Sequence, residues 1–247
     1  MNMVSELPNT QIFSQQQNHL LASMTQSEWN QLEPDMEQVD FSRNQVLFES
    51  GKTPAYMYFP TTAIVSLLYM TENGASSEVA VIGNDGAVGI TLLLSGSNSP
   101  NQALVQTAGK GYRMRAQAAK NAISRDSTIL TILLRYSQAM ITQVTQTAVC
   151  NRHHTIDQQL CRRLLLSLDR LSSNQINITQ EMLSSMLGVR RESVTDAALK
   201  LQNAGVISYK RGLITVLDRK ALESRSCECY NIAKNEQIRL QKMSSNG

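Results

Sequence analysis

No apolar run in the sequence approaches the roughly 18 residues that would suggest a membrane span. The opening residues, Met1-Asn2-Met3-Val4-Ser5-Glu6, lack a basic patch followed by an apolar core, so a secretory leader is not expected. Cysteine is scarce: four residues without an export signal indicate free thiols in a reducing cytosol. Enzyme frameworks are also missing. There is no Walker loop, no Gly-rich dinucleotide turn, no Gly-x-Ser-x-Gly and no His-Glu-x-x-His, and Gly83-Asn84-Asp85-Gly86 has the chemistry of a hairpin turn. The chain is therefore not expected to be an enzyme. Proline does not occur after Pro100, and neither Pro nor Gly occurs between Tyr112 and Leu187. That middle stretch is free to be helical.

What is present divides the chain in the same way. Eight of the 12 glycines lie between Gly51 and Gly111, which makes the first half rich in turns. A chain of 247 residues holds one large domain or two ordinary ones. The overall charge of +3 hides an asymmetry: residues 1–149 carry 8 Lys/Arg against 11 Asp/Glu, a net −3, and residues 150–247 carry 15 against 9, a net +6. A basic C-terminal half is the footprint expected of a nucleic-acid partner.

Within that half, Thr179 can cap a short helix whose apolar positions Met182, Leu183, Met186 and Leu187 recur at helical spacing. Gly188 stops it, because glycine takes the left-handed conformation without steric cost. A second helical pattern follows, with Val194, Ala197, Ala198 and Leu201 on one face and Arg191, Glu192, Thr195 and Asp196 on the other. It ends at Asn203-Ala204-Gly205. Val206–Tyr209, a Lys210-Arg211-Gly212 turn and Leu213–Val216 then make a hairpin. Two helices around a tight turn, followed by a hairpin, define a winged helix-turn-helix. The major groove admits one helix, whose N-terminal residues reach base edges. Arg191 can fork onto guanine, and Glu192 can accept from a cytosine amino group. The competing interpretations are a solvated Arg-Glu surface and a winged helix that assembles with protein instead of DNA.

Thr179 to Gly188, Arg191-Glu192-Ser193-Val194, Leu199, Leu201, Gly205, Ile207 and Arg211-Gly212 with Ile214 together resemble the DNA-binding half of the cyclic-AMP receptor / fumarate-nitrate regulator superfamily. The match is specific over residues 155 to 218 and one of pattern over 30 to 150. The resemblance implies base contacts from Arg191 and Glu192, with Ser193 and Asp196 as further base-reading positions. Asp196 stands where the family has a third basic contact, so a different base is expected there. Arg190 replaces a small hydroxyl residue of many members and is assigned to phosphate, with Thr179, Thr195, Lys200, Lys210 and Arg211.

Upstream, strand-like runs recur from Val39 to Met114 at intervals of 8 to 12 residues or so, with turn chemistry between them, as in an antiparallel roll. The roll is similar to the effector domain of the same superfamily. Gly89, Ile90, Asn101 and Gln102 are the candidate pocket positions. Ile90 occupies the place of the family's ribose-binding Glu, and Ser99-Pro100-Asn101-Gln102-Ala103 contains no Arg for a phosphate. Burying a phosphate without a cation is costly. Cyclic AMP is therefore not expected as the ligand, and Leu92-Leu93-Leu94 is expected to fill the roll.

From Ser127 to about Asn151 two apolar stripes run side by side. Ile129, Leu133, Tyr136, Met140, Gln143, Thr147 and Cys150 form one; Leu130, Leu134, Ser137, Ile141, Val144, Ala148 and Asn151 form the other. Two stripes must cover two surfaces: the chain's own roll, and the same helix of a second copy through Leu130, Leu134, Ile141, Val144 and Ala148. Beyond it, Asn151-Arg152-His153-His154-Thr155 is polar, and by the resemblance is the hinge of the DNA-binding domain. Cys150, His153, His154 and Cys161 lie within twelve positions, with Cys227-Glu228-Cys229 near the end. The C-x-x-C spacing is absent, a C-x-C pair does not easily chelate alone, and the N-terminal cysteine cluster of oxygen-sensing members is missing. No metal or cofactor is expected, and the cysteines are expected to be packing residues. A redox- or metal-responsive sensor using Cys and His is the alternative.

The fold expected is α+β: a flexible arm over 1–22 (Gln/Asn-rich from Gln11 to Asn18), a cyclic-nucleotide-binding-like β-roll over 23–116, a dimerisation helix over 117–151, and a winged helix-turn-helix over 152–247, frayed from Met243. The function expected is that of a cytoplasmic, homodimeric transcription regulator that reads a palindrome. Its partners are double-stranded DNA and a second copy; RNA polymerase and an unidentified small-molecule effector are further candidates, and no membrane is expected.

Overall fold

The computed structural model describes residues 14–94 and 98–245. Its first half is a roll of seven antiparallel strands: β1 (Met36–Phe41), β2 (Val46–Phe48), β3 (Tyr56–Pro60), β4 (Ile64–Met70), β5 (Ser76–Ile82), β6 (Gln102–Thr107) and β7 (Gly109–Arg115). They make two sheets, ordered β1-β7-β3 and β2-β6-β4-β5. Two buried sets line the roll. Phe41, Ala63, Val65, Ile82 and Val105 belong to one, and Met57, Phe59, Tyr112 and Met114 to the other. In β3, β6 and β7 alternate residues supply them, as the pleat requires.

The roll is closed by helices that precede and follow it. α1 (His19–Ala22) starts at Asn18, whose side-chain oxygen accepts from the amides of Leu20 and Leu21. The Asn18 amide nitrogen donates to the Pro60 and Gly86 carbonyls, and the residue is fully buried. The expected flexible arm therefore needs correcting from Ser14 onward. Leu20 and Leu21 pack into the core with Trp29 of α2 (Gln26–Leu32), which carries a Thr25–Glu28 capping box. Residues 1–13 lie outside the described residues. Thr91–Leu94 forms the short helix α3, and Leu92 is buried in the roll's core, as the sequence predicts.

The expected helix over 117–151 is two helices. α4 (Ala116–Arg125) ends at Asp126, whose extended backbone (φ −137°) interrupts the winding and whose carboxylate caps α5 (Ser127–His153) by accepting from the Thr128 amide. Nothing in the composition of 117–125 announces the break; it comes from a single capping side chain.

α6 (Ile156–Leu168) begins at Thr155 with a second capping box, closed by Gln158. Then follow β8 (Gln175–Asn177), α7 (Gln180–Leu187), α8 (Arg191–Asn203), β9 (Ile207–Lys210), β10 (Leu213–Val216), α9 (Arg219–Arg225) and α10 (Cys229–Ser245). The three strands form one sheet, ordered β8-β10-β9. The core of this domain gathers Leu160, Leu164, Leu165, Leu183, Val194, Leu201 and Ile214, and it continues into the roll through Ile64 and Val81. α10 runs back along α5, where Arg135 Nη1 donates to the Met243 carbonyl at 2.8 Å. The tail expected to fray from Met243 is thus helical to Ser245.

Candidate nucleic-acid interface

Thr179 Oγ1 accepts from the Met182 amide at 3.1 Å and starts α7. Gly188 ends it with φ +65°, a conformation that a side chain would strain. Arg190 then leaves the helical region, and α8 begins with Arg191. Val194, Ala197, Ala198 and Leu201 point inward, buried against α6 and α7. The 3.6-residue period consequently turns Arg191, Glu192 and Asp196 outward, and all three are exposed. Ser193 and Thr195 are half-buried, and the Thr195 hydroxyl donates to the Arg191 carbonyl at 3.0 Å. Arg191 engages no other side chain in a hydrogen bond or ion pair among the described residues.

The wing is a two-residue hairpin. Lys210 pairs with Leu213 in the ladder, and both central residues have positive φ, Arg211 at +49° and Gly212 at +78°. That combination twists the turn to match its strands. Lys210 and Arg211 are exposed at its tip, and Arg190 is exposed beside α8. Lys200 lies 3.1 Å from Asp157, an exposed pair that costs little to exchange for a phosphate. Between the wing and the helices lies an open groove of about 440 Å³, lined by Thr179, Gln180, Glu181, Arg191, Tyr209, Arg211 and Gly212.

Two residues of this surface escape the sequence. Tyr209 donates its hydroxyl to the Ile178 carbonyl at 3.0 Å, and its amide donates to Gln202 Oε1 at 2.9 Å, so it seams wing to helices. Burial pushes its phenol up, against a downward pull from Arg191 and Arg43. Arg43 belongs to the β1–β2 turn of the roll, and only the tertiary fold lets its charge act on Tyr209.

On α5 the inner stripe meets the roll. Tyr136 donates to the Ala87 carbonyl at 2.9 Å, and Gln143 Nε2 to the Val81 carbonyl at 3.0 Å. On the other stripe, Leu134, Ile141 and Val144 are 50%, 60% and 39% exposed, a row of large apolar side chains facing outward. Ala148 is exposed with them, whereas Leu130 is half-buried.

The four effector-pocket positions have different surroundings. Gly89 has φ +94°, and Ile90 is buried beside it in the roll's core. Asn101 and Gln102 are half-buried, with Gln102 Nε2 donating to Glu49 Oε2 at 2.7 Å. No side chain joins the two pairs in a hydrogen bond among the described residues.

A closed roll that feeds a long helix and then a winged helix-turn-helix is the architecture of a DNA-binding transcription regulator. Residues 38–126 match the cyclic nucleotide-binding domain, and residues 158–225 match the Crp-like helix-turn-helix domain. The chain belongs to the Crp/Fnr family of transcription regulators, which are not enzymes. Among solved structures, FixK2 from Bradyrhizobium japonicum is similar at 14% identity, covering 78% of this chain and 98% of that one with a TM-score of 0.65. A CRP-family transcriptional regulator from Thermus thermophilus matches at 18% identity over 76% of this chain and 96% of its own (TM-score 0.63). The c-di-GMP-responsive global regulator CLP of Xanthomonas campestris matches at 14% identity over 78% of this chain and 100% of its own (TM-score 0.61). At these identities the likeness is one of fold. No curated protein sequence matches the chain. None of the described helices is long and apolar enough to cross a membrane.

Proposed function

We propose that the protein acts in the cytoplasm as a homodimer that reads an inverted repeat in duplex DNA, one α8 in each of two successive major grooves, without control by cyclic AMP. The observation that carries this reading is the first turn of α8, where Arg191 and Glu192 stand exposed and unengaged between Arg190 and a basic wing. A guanidinium fork matches guanine O6 and N7, and a carboxylate matches the cytosine amino group. Ser193 and Asp196 stand next along the helix. Arg190, Lys200, Lys210 and Arg211 neutralise phosphates, so binding falls steeply with salt. Thr179 and Thr195 add hydroxyl contacts to the backbone.

One recognition helix reads too few bases for specificity, whereas two related by a two-fold axis read half-sites about 34–36 Å apart. The exposed row Leu134, Ile141 and Val144, with Ala148, supports pairing of two α5 helices, and Leu130 sits at its edge. Ile90 in place of a ribose-binding carboxylate, and the lack of an Arg between Ser99 and Ala103, argue against cyclic AMP. Selection from random oligonucleotides tests the reading: an enriched inverted repeat is expected, and recovery of no common sequence contradicts it.

A further inference from the structure

Four metal-ligating side chains from stretches far apart in sequence meet where α5 gives way to α6. Cys150 is in the last turn of α5, His154 is its C-cap, Cys227 precedes α10, and Cys229 opens it. Their ligand atoms all lie within 4.8 Å of one another. Cys150 Sγ is 3.5 Å from Cys227 Sγ, and Cys229 Sγ is 3.6 Å from His154 Nδ1. A tetrahedral zinc ion, with bonds of about 2.3 Å to sulfur and about 2.0–2.1 Å to nitrogen, holds its ligand atoms roughly 3.4–3.8 Å apart. The three thiols are buried together and free of disulfide.

Two features beyond the spacing point to a cation. His154 directs Nδ1 into the cluster while Nε2 lies 3.3 Å from Glu228 Oε1. A carboxylate behind an imidazole fixes the tautomer that leaves the inner nitrogen free to ligate. Arg162, 5% exposed, has an Nε without a hydrogen-bond partner and puts a fixed positive charge near the cluster. Three thiolates, a neutral imidazole and a dication sum to one negative charge, which Arg162 offsets.

We propose that Cys150, His154, Cys227 and Cys229 bind one zinc ion, which fastens the start of α10 to the junction between α5 and α6. Binding exchanges three S–H bonds for three S–Zn bonds, adds one N–Zn bond and releases three protons, with no change of oxidation state. Gln159 Nε2, donating to the His154 carbonyl at 2.9 Å, holds the backbone of the site. The ion ties the junction that carries the DNA-binding domain to a helix packed along α5, so its occupancy stiffens that junction.

The test uses the full chain, reduced, stripped with a chelator and titrated with Co²⁺ as a spectroscopic substitute for zinc. Saturation at one cobalt per chain is expected, with thiolate-to-cobalt charge-transfer absorption and the ligand-field bands of a tetrahedral ion, both erased by Zn²⁺. Cys227→Ser and Cys229→Ser each lower the charge-transfer intensity; Cys161→Ser, at the buried thiol outside the cluster, leaves it unchanged. Glu228→Ala alters only an exposed carboxylate, so its circular dichroism matches wild type while cobalt binding weakens about 10- to 100-fold. Absence of thiolate–cobalt absorption in the reduced wild-type chain would overturn the site. So would a Cys150–Cys227 disulfide in place of metal, an iron–sulfur chromophore on these residues, or a Glu228→Ala chain that binds cobalt as tightly as wild type.

Discussion

Arg163 of α6 forks onto Glu78 of β5, with Nη2 donating to Oε2 at 2.8 Å and Nε 2.6 Å from Oε1, both side chains being more than nine-tenths buried. The pair joins the DNA-binding domain to the roll. Gln106 Oε1 and the Ser167 hydroxyl accept further hydrogen bonds from the guanidinium, and the Gly188 turn packs next to Ser77 one residue away. Removing one partner of such a pair strands a buried charge and costs about 3–5 kcal/mol. Glu78→Ala is therefore expected to lower Tm by on the order of 10 °C. The double replacement Glu78→Met with Arg163→Leu is expected to recover most of that loss. Thermal unfolding followed by circular dichroism decides, and an unchanged Tm in Glu78→Ala removes the pair from the account of domain docking.

Arg191→Ala is expected to weaken binding to the selected site by about 1–3 kcal/mol while leaving random duplex unaffected. Fluorescence anisotropy on both DNAs measures the difference. Equal losses on both would move Arg191 from base reading to phosphate contact.

Lys210→Ala has the opposite signature. It is expected to weaken all sequences alike and to reduce the slope of log K against log salt by about 1. A sequence-dependent loss would place Lys210 on a base.

Ile141→Glu puts a charge in the middle of the exposed apolar row on α5. Its side chain is 60% exposed, so the fold is expected to survive while the dimer dissociates. Sedimentation of the variant should show a single chain, and its affinity for the inverted repeat should fall to that for a half-site. A variant that remains dimeric would place the interface elsewhere.

Cyclic AMP at millimolar concentration is expected to leave Tm unchanged, because neither Ile90 nor the segment from Ser99 to Ala103 offers it a charge partner. A clear upward shift would show that other residues hold the phosphate.

Much of the surface proposed to read DNA is local and therefore legible in the sequence. Thr179, Gly188 and the apolar period of α7 and α8 are short-range signals, and they settle which side of α8 faces outward. The two stripes of α5 separate in part: Ile129, Leu133 and Tyr136 are buried while Leu134 and Ile141 are not, but Ser137 of the outer stripe is buried and Leu130 half-buried. Long-range contacts leave no such mark. Asn18 looks like part of a polar arm until Pro60 and Gly86 present carbonyls to it. Asp126 breaks a run that contains no Gly or Pro. Cys227 and Cys229 form a C-x-C pair too short to chelate alone. They gain their partners only because α10 folds back along α5 and brings them to Cys150, 77 residues upstream of Cys227.

Reading of one inverted repeat by two copies of α8 requires two chains on each duplex. The most direct measurement is the mass of the complex in sedimentation equilibrium, with the selected duplex and with a duplex holding one half-site. Two chains per full duplex, with binding to the half-site much weaker and Arg191→Ala losing the preference, is the predicted result. One chain per duplex, or equal affinity for full site and half-site, would contradict it.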